Sequence, residues 1–431
     1  VFIRGYFSVK EDIQETRFDN GLVVLTDRMP SVRSVTLGFF YRVGARHEPM
    51  ELAGITHFIE HTVFKGTARR NALDIAIEQD RLGGNLDAFT THEETGFAIK
   101  VVDEELGKAF DVIADMLANP RFDAADLEAE QKVIIEEMKM TDDNPEDLLG
   151  EMFNAAFFPD HPLGLPITGT PDSVRKFTHE ITRDYHEQNF AAGKLVIVAA
   201  GNVEHDQLLE LAERSFNSPL ITRHSSQSAS PTPAAPFLVK QNPNLEQAHL
   251  IIATPTVSAR DERRYAADLL ANVIGGGTSS RLWQKIREER GLAYSVGAST
   301  AMYEDVGVFS VFAGTSPDQV GEVVDLTIAE LRSVVSNGIE ADELELVKQQ
   351  ARASILLSLE DSASRASSLA QSEMTHGRQI PVEETLANID AVIVEDCQKL
   401  ASECFTSERI AFAAVGDLEA EGIDRERLRF F

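Results

Sequence analysis

The segment Gly54-Ile55-Thr56-His57-Phe58-Ile59-Glu60-His61 sets two imidazoles and a carboxylate close together. On a helix, His57 and His61 stand one turn apart on one face. At that separation a ring nitrogen of each can reach one metal ion. Glu60 follows His57 by three residues, about 60° around a helix of 3.6 residues per turn. It borders the same face without having to be a ligand, and a carboxylate so placed can take a proton from a metal-bound water. This H-x-x-E-H order is the reverse of the commoner H-E-x-x-H zinc motif. Histidines and glutamates also share solvated helix faces, but the flanking Phe58, Ile59, Val63 and Phe64 predict a buried helix. Ionisable groups clustered in a buried helix need a reason, and a metal site supplies one.

A catalytic zinc takes three protein ligands and leaves its fourth position to water. The acidic helix expected over Ala124–Met140 offers the third. Glu130 and Glu137 are seven residues apart and point the same way, yet their axial separation of about 10 Å keeps both from binding one ion. One would be the ligand and the other an acceptor that orients a histidine. Glu136 is a rival ligand, turned about 100° from Glu137. Spacing leaves the choice open, and an acidic helix face is often merely solvated. His92, in Thr90-Thr91-His92-Glu93-Glu94, could be a ligand but reads rather as an exposed strand-end histidine, whereas His161, His186 and His249 stand alone and read as structural or surface residues. Gly275, Gly276 and Gly277 follow a helical pattern without a P-loop lysine or dinucleotide spacing, so no nucleotide site is expected. They either end the helix or let a ligand backbone approach closely.

The elements that carry these residues belong to a chain of 431 residues, 43% apolar, with 70 acidic against 40 basic side chains and a net charge of −30. That charge argues against sequence-independent nucleic-acid binding and favours cationic ligands. No run of 18 apolar residues occurs, which excludes a transmembrane helix and membrane insertion through one. Cys397 and Cys404 show no C-x-x-C spacing and cannot build a disulfide scaffold, which suits a reducing compartment. Val1–Phe7 contains no apolar h-region, so a cytoplasmic protein without a signal peptide is expected.

Residues 217–236 are rich in Ser and Pro without periodicity and read as a linker. They divide the chain into 1–216 and 237–431. The halves repeat one plan. Ala125-Asp126 and Ala341-Asp342 open similar helical patterns 216 residues apart, and the apolar runs ending at Gly201 and Gly416 lie 215 apart. A near-constant offset indicates duplication. In the first half, Gly21–Asp27, Ser34–Val43 and Phe89–Val102 have strand patterns. Ile55–Phe64, Leu73–Leu82, Glu105–Leu117, Ala124–Met140 and Glu146–Phe157 have helical ones. The mixture predicts an α+β domain with helices on one sheet face.

With these residues in view, the chain resembles the pitrilysin family of inverted-motif zinc peptidases. Its length and two halves resemble the processing-peptidase branch, which includes mitochondrial processing peptidase and bacterial relatives. The likeness covers nearly the whole chain. It includes Asp19-Asn20-Gly21-Leu22, Val43-Gly44-Ala45-Arg46-His47-Glu48, the His57–His61 segment, Phe64-Lys65-Gly66-Thr67 and His161-Pro162-Leu163-Gly164. It implies two homologous α+β domains, each a mainly antiparallel sheet with helices on one face. The family's ligand glutamate, 76 residues beyond the second histidine, falls on Glu137, and the orienting glutamate seven earlier falls on Glu130.

By the same likeness, Arg287 and Tyr294 are the pair that hydrogen-bonds bound peptide near the scissile carbonyl. Gly275, Gly276 and Gly277 match the substrate loop. Asp87, Ala88, Phe89 and Thr90 match the edge strand that pairs with substrate backbone, a form of β-augmentation. Asp87 stands where members commonly carry Asn, and Ala45 where many carry Ser; neither belongs to the metal set. The second half has no H-x-x-E-H, so one Zn²⁺ per chain is implied. The likeness also implies two chains paired around a closed chamber. Retention of both the zinc set and the Arg–Tyr pair points to an active homodimer rather than one half of a heterodimer. The implied reaction is hydrolysis of short or unstructured peptides by zinc-bound water with Glu60 as base. The acidity of the chain suits basic or presequence-like substrates. The competing class is a silent scaffold or binding subunit, which usually lacks part of the metal set that is complete here.

Overall fold

A computed structural model describes residues 11–216, 229–418 and 423–430. The segment on which the absence of a leader is read, and residues 217–228 of the expected linker, lie outside the described residues. The strands are β1 (Ile13–Arg17), β2 (Val23–Arg28), β3 (Ser34–Tyr41), β4 (Leu86–Thr90), β5 (Thr95–Val102) and β6 (Leu195–Gly201), then β7 (Phe237–Gln241), β8 (Ala248–Thr256), β9 (Ala293–Met302), β10 (Gly307–Thr315) and β11 (Ala411–Gly416). The helices of the first half are α1 (Ile55–Thr62), α2 (Ala72–Leu82), α3 (Leu106–Ala118), α4 (Ala124–Asp143), α5 (Pro145–Phe157), α6 (Pro171–Val174), α7 (His179–Asn189) and α8 (His205–Ser215). Those of the second are α9 (Arg264–Gly275), α10 (Val320–Asn337), α11 (Ala341–Ser358), α12 (Ser362–His376), α13 (Val382–Ala391) and α14 (Val394–Cys404).

Two sheets form. The first has the order β1-β2-β6-β3-β5-β4 and the second β7-β11-β8-β10-β9. In each, one pair is parallel, β2 with β6 and β7 with β11, and the rest are antiparallel. Strand for strand the second sheet repeats the first without β1. The chain is therefore α+β with mainly antiparallel sheets. Gly201 and Gly416 end equivalent strands where a side chain has no room. A Cβ on Gly201 would lie 2.2 Å from Ser34 O, and one on Gly416 would lie 2.7 Å from Ala248 Cβ.

Every residue of β6 and β11 is buried. A strand without polar alternation is covered on both faces, so each sheet needs two layers. On the first sheet α3 takes one face, with the Phe110 ring 5.1 Å from that of Phe39. The opposite face, formed by Val23, Leu25, Phe40, Val196, Val198 and Ala200, closes on Ala366, Leu369 and Ala370 of α12. On the second sheet Phe405, just past α14, meets Phe309 at 5.0 Å. The face formed by Ala411, Ala413, Val415, Ala253 and Val308 closes on Leu149, Phe153 and Phe157 of α5. Each sheet thus receives a helix from the other half of the sequence.

The compact units are accordingly discontinuous. One comprises described residues 11–136, 167–216 and 354–381; the other comprises 137–166, 229–353, 382–418 and 423–430. This differs from the contiguous 1–216 and 237–431 that composition suggests, because the helices crossing over are chosen by sheet faces rather than by the linker. Polar contacts hold α12 in the first unit. Arg365 Nη1 donates to Asp27 Oδ2 at 2.7 Å, with both side chains buried. Ser362 Oγ and Thr36 Oγ1 lie 2.9 Å apart. The fully buried carboxylate of Glu373 receives Arg17 Nη2 at 2.6 Å and Arg42 Nη2 at 2.5 Å.

Candidate metal centre and substrate-facing residues

Helix α1 begins at Gly54, whose φ of +92° is left-handed. A Cβ there would lie 2.5 Å from Thr168 O, so glycine is required twice over. With no side-chain cap of its own, the helix is capped by Glu48. Its Oε2 accepts from Gly54 N–H and its Oε1 from Thr56 N–H, each at 2.7 Å. Burial pushes the Glu48 carboxyl up to about 7, against the opposing hydrogen bonds from Thr56 and Gly54. Every α1 residue except His61 is buried.

The rings of His57 and His61 lie 4.6 Å apart, as one helical turn requires. Burial first, and then the charge of His61, pushes His57 down to about 3. Its imidazole is neutral at physiological pH, the form that binds metal. His61 Nδ1–H donates to Glu130 Oε2 at 3.2 Å, which leaves Nε2 to a ligand-binding role. The other Glu130 oxygen meets Lys65 Nζ at 2.6 Å. Burial would raise the Glu130 carboxyl, but the hydrogen bonds from His61 and Lys65 hold it below its ordinary value.

Potential ligand atoms of His57, His61 and Glu137 all lie within 4.8 Å of one another. The boundary between the units falls within α4, between Glu136 and Glu137. Glu137 is nevertheless carried by one unbroken helix whose buried Leu127, Glu130 and Ile134 precede it. Glu136 is exposed on that helix and outside the set. Two imidazoles and a carboxylate form a donor set that suits zinc.

Glu60 is buried on α1 and accepts from Thr90 Oγ1–H at 2.7 Å. Thr90 ends β4, which pairs only with β5 among the described residues and so presents a free edge. Asp87, Ala88 and Phe89 precede it on the same strand, with Asp87 and Phe89 facing solvent. Asn85 Nδ2 donates to Asp87 Oδ1 at 2.5 Å.

In the second unit, Arg287 lies on a six-residue π-helical turn, Trp283–Glu288. Its guanidinium stands 4.0 Å from the Trp283 ring centroid and 4.8 Å from that of Tyr294. Tyr294, on β9, is 78% exposed, far more than a structural tyrosine needs. The three glycines differ. A Cβ on Gly275 would lie 2.3 Å from Ala298 N and one on Gly276 would lie 2.3 Å from Asn272 Oδ1, whereas nothing lies within 4 Å of one on Gly277. The first two serve close packing, and only Gly277 is open to an incoming ligand.

His186 Nε2 lies 2.9 Å from Leu117 O, and His161 Nδ1 accepts from Leu163 N–H at 3.1 Å, both structural contacts. Sequence reasoning did not single out Lys65, Glu48, Trp283 or the bond from Thr90 to Glu60. Lys65 and Glu48 lie inside the family-like segments Phe64–Thr67 and Val43–Glu48, the signal that could have found them. Among the described residues, no helix is long and apolar enough to cross a membrane.

A family model described as insulinase (peptidase family M16) matches residues 23–171, and one described as the peptidase M16 inactive domain matches residues 176–351. A Mycobacterium leprae protein called an uncharacterized zinc protease is 39% identical over 407 residues, covering 93% of this chain and 91% of the relative. A Bacillus subtilis protein of like description is 35% identical over 389 residues, covering 90% and 95%. Among solved structures, a protease from Helicobacter pylori gives a TM-score of 0.86 at 22% identity, over 94% of this chain and 100% of that one. The peptidase M16 inactive domain from Pseudomonas fluorescens gives 0.86 at 18% identity, over 94% and 98%. These two likenesses are of fold.

Proposed function

This chain belongs to the insulinase (M16) family of peptidases, and from that premise we infer that it is a zinc-dependent endopeptidase acting on short or unstructured peptides. The observation that carries the reading is the convergence of His57, His61 and Glu137 ligand atoms within 4.8 Å. The zinc-protease names of its relatives in Mycobacterium leprae and Bacillus subtilis support the choice of metal.

His57, His61 and Glu137 would hold the ion, and Glu130 fixes the His61 ring by accepting its Nδ1–H. Zinc held there would polarise the scissile carbonyl and lower the pKa of water toward about 7. Glu60 takes the proton of the attacking water and delivers it to the leaving amine. The free edge of β4, from Asp87 to Thr90, receives the peptide backbone as an added strand. Arg287 and Tyr294 donate to substrate carbonyl oxygen, and Gly277 gives the backbone close access in the second unit.

A net charge of −30 favours basic peptides, including presequence-like ones. The zinc set and the Arg287–Tyr294 pair occur in one chain, which supports an active homodimer. Buried free thiols at Cys397 and Cys404 are consistent with a cytoplasmic place.

The test compares zinc content and cleavage of a quenched, unstructured basic peptide in native protein and Glu60→Gln. Equal zinc in both, with kcat lower by roughly 10²–10⁴ in the variant, is expected. Protein that stays inactive after zinc is supplied would instead identify a silent binding subunit.

A further inference from the structure

The hydroxyl of Thr90 donates to one oxygen of the Glu60 carboxylate, Oε2, at 2.7 Å. A threonine hydroxyl has a single proton to give, and here it is spent on Glu60. Thr90 is itself firmly placed. Its strand partner is Thr95, and the turn that follows is closed by Thr91 N–H donating to Glu94 O at 2.8 Å. Thr91 Oγ1 accepts from Glu93 N–H and Glu94 N–H at 3.1 Å and 3.0 Å. Ala45 N–H and Arg46 N–H then donate to Thr91 O and His92 O at 3.0 Å and 2.8 Å. The donor to Glu60 is therefore mounted on a braced turn at the end of an edge strand.

We propose that Thr90 is a positioning residue for the Glu60 base, through the hydrogen bond it donates from the end of the substrate-receiving strand. The bond engages Oε2 and so fixes the plane in which the carboxylate meets the water it deprotonates. It also ties the strand that adds substrate to the group that starts the reaction. A peptide paired with β4 and the base are then registered against one rigid segment. This role differs from that of a residue contacting substrate, because the Thr90 side chain turns toward α1. The proposal rests on the reading of Glu60 as general base.

The experiment measures kcat and KM separately for Thr90→Val, which keeps the shape and removes the hydroxyl, and for Thr90→Ser, which restores it. Zinc content and melting temperature are recorded for each, with Glu60→Gln alongside. Thr90→Val is expected to retain one zinc per chain and to lower kcat about ten- to a hundredfold, with KM within about twofold, since misaligning a base removes part of its 10²–10⁴-fold contribution. Thr90→Ser recovers most of the loss. A Thr90→Val enzyme with unchanged kcat, or with raised KM alone, overturns the proposal, as does a Thr90→Ser enzyme impaired like Thr90→Val. Should Thr90→Val fail to fold, the same comparison is made with Thr90→Ala and decided by the same rescue. An active Glu60→Gln enzyme would refute the base reading itself, an outcome separate from any of these.

Discussion

Glu130 and His61 form a bond 3.2 Å long between carboxylate and ring Nδ1, and the carboxylate is anchored on its other side by Lys65 at 2.6 Å. The carboxylate that orients this imidazole of the candidate zinc site is thus itself fixed by a second partner. Glu130→Gln can still accept from His61 but loses the charge that pairs with Lys65. Its zinc affinity is expected to fall about 10–100-fold, read by competition with a chromophoric chelator. An unchanged affinity would show that the ring is fixed by packing alone.

The adjacent pair on α4 gives a sharper contrast. Glu137→Gln should abolish stoichiometric zinc binding, whereas Glu136→Gln, altering an exposed residue outside the donor set, should leave it intact. Metal analysis after dialysis decides between them.

Glu48 predicts a pH dependence of stability. Its carboxyl is raised in the folded chain to about 7 from the ordinary 4.5, so between these values the folded state holds a proton that the unfolded state has released. The resulting stabilisation is full below the unfolded value and is lost as pH rises through the folded one. The difference in melting temperature, native minus Glu48→Gln, should therefore shrink from about pH 5 to about pH 8. A constant difference would mean that Glu48 carries no such shift.

Trp283 lies under the Arg287 guanidinium at 4.0 Å. An exposed cation–π contact contributes roughly 0.5–1 kcal/mol, so Trp283→Leu should raise KM about two- to fivefold, with Trp283→Phe closer to native. No change in KM would detach this contact from substrate binding.

The buried pair between Arg365 and Asp27 predicts an unequal response to mutation on α12 and its sheet. Asp27→Ala leaves a buried guanidinium without its charge partner and should destabilise the protein by about 3–5 kcal/mol. Glu373→Ala releases Arg17 and Arg42, whose side chains are 45% and 32% exposed and can be rehydrated, so its effect should be smaller. Urea denaturation of the two variants ranks them.

What could be read in the sequence was local. His57, Glu60 and His61 share a helical turn, and their spacing fixes their relation before any tertiary structure is known. Glu137 lies far along the chain, and helical spacing could not separate it from Glu136 without the family likeness. Thr90 and Glu48 reach α1 through turns whose course no periodicity records. The apolar residues Leu149, Phe153 and Phe157 do announce a helix with one buried face. That stripe is as complementary to one apolar sheet as to another, so it could not say that α5 joins the second sheet and α12 the first.

This exchange has a consequence for biosynthesis. The first sheet is complete in sequence at Gly201, yet the layer over Val23, Leu25, Phe40, Val196 and Val198 begins only at Ser362. At about 5–20 residues per second on the ribosome, that sheet waits roughly ten to thirty seconds with one apolar face bare. The nascent amino-terminal half is thus a natural client for a chaperone holdase, and a gene fragment ending at the linker encodes a polypeptide prone to aggregate.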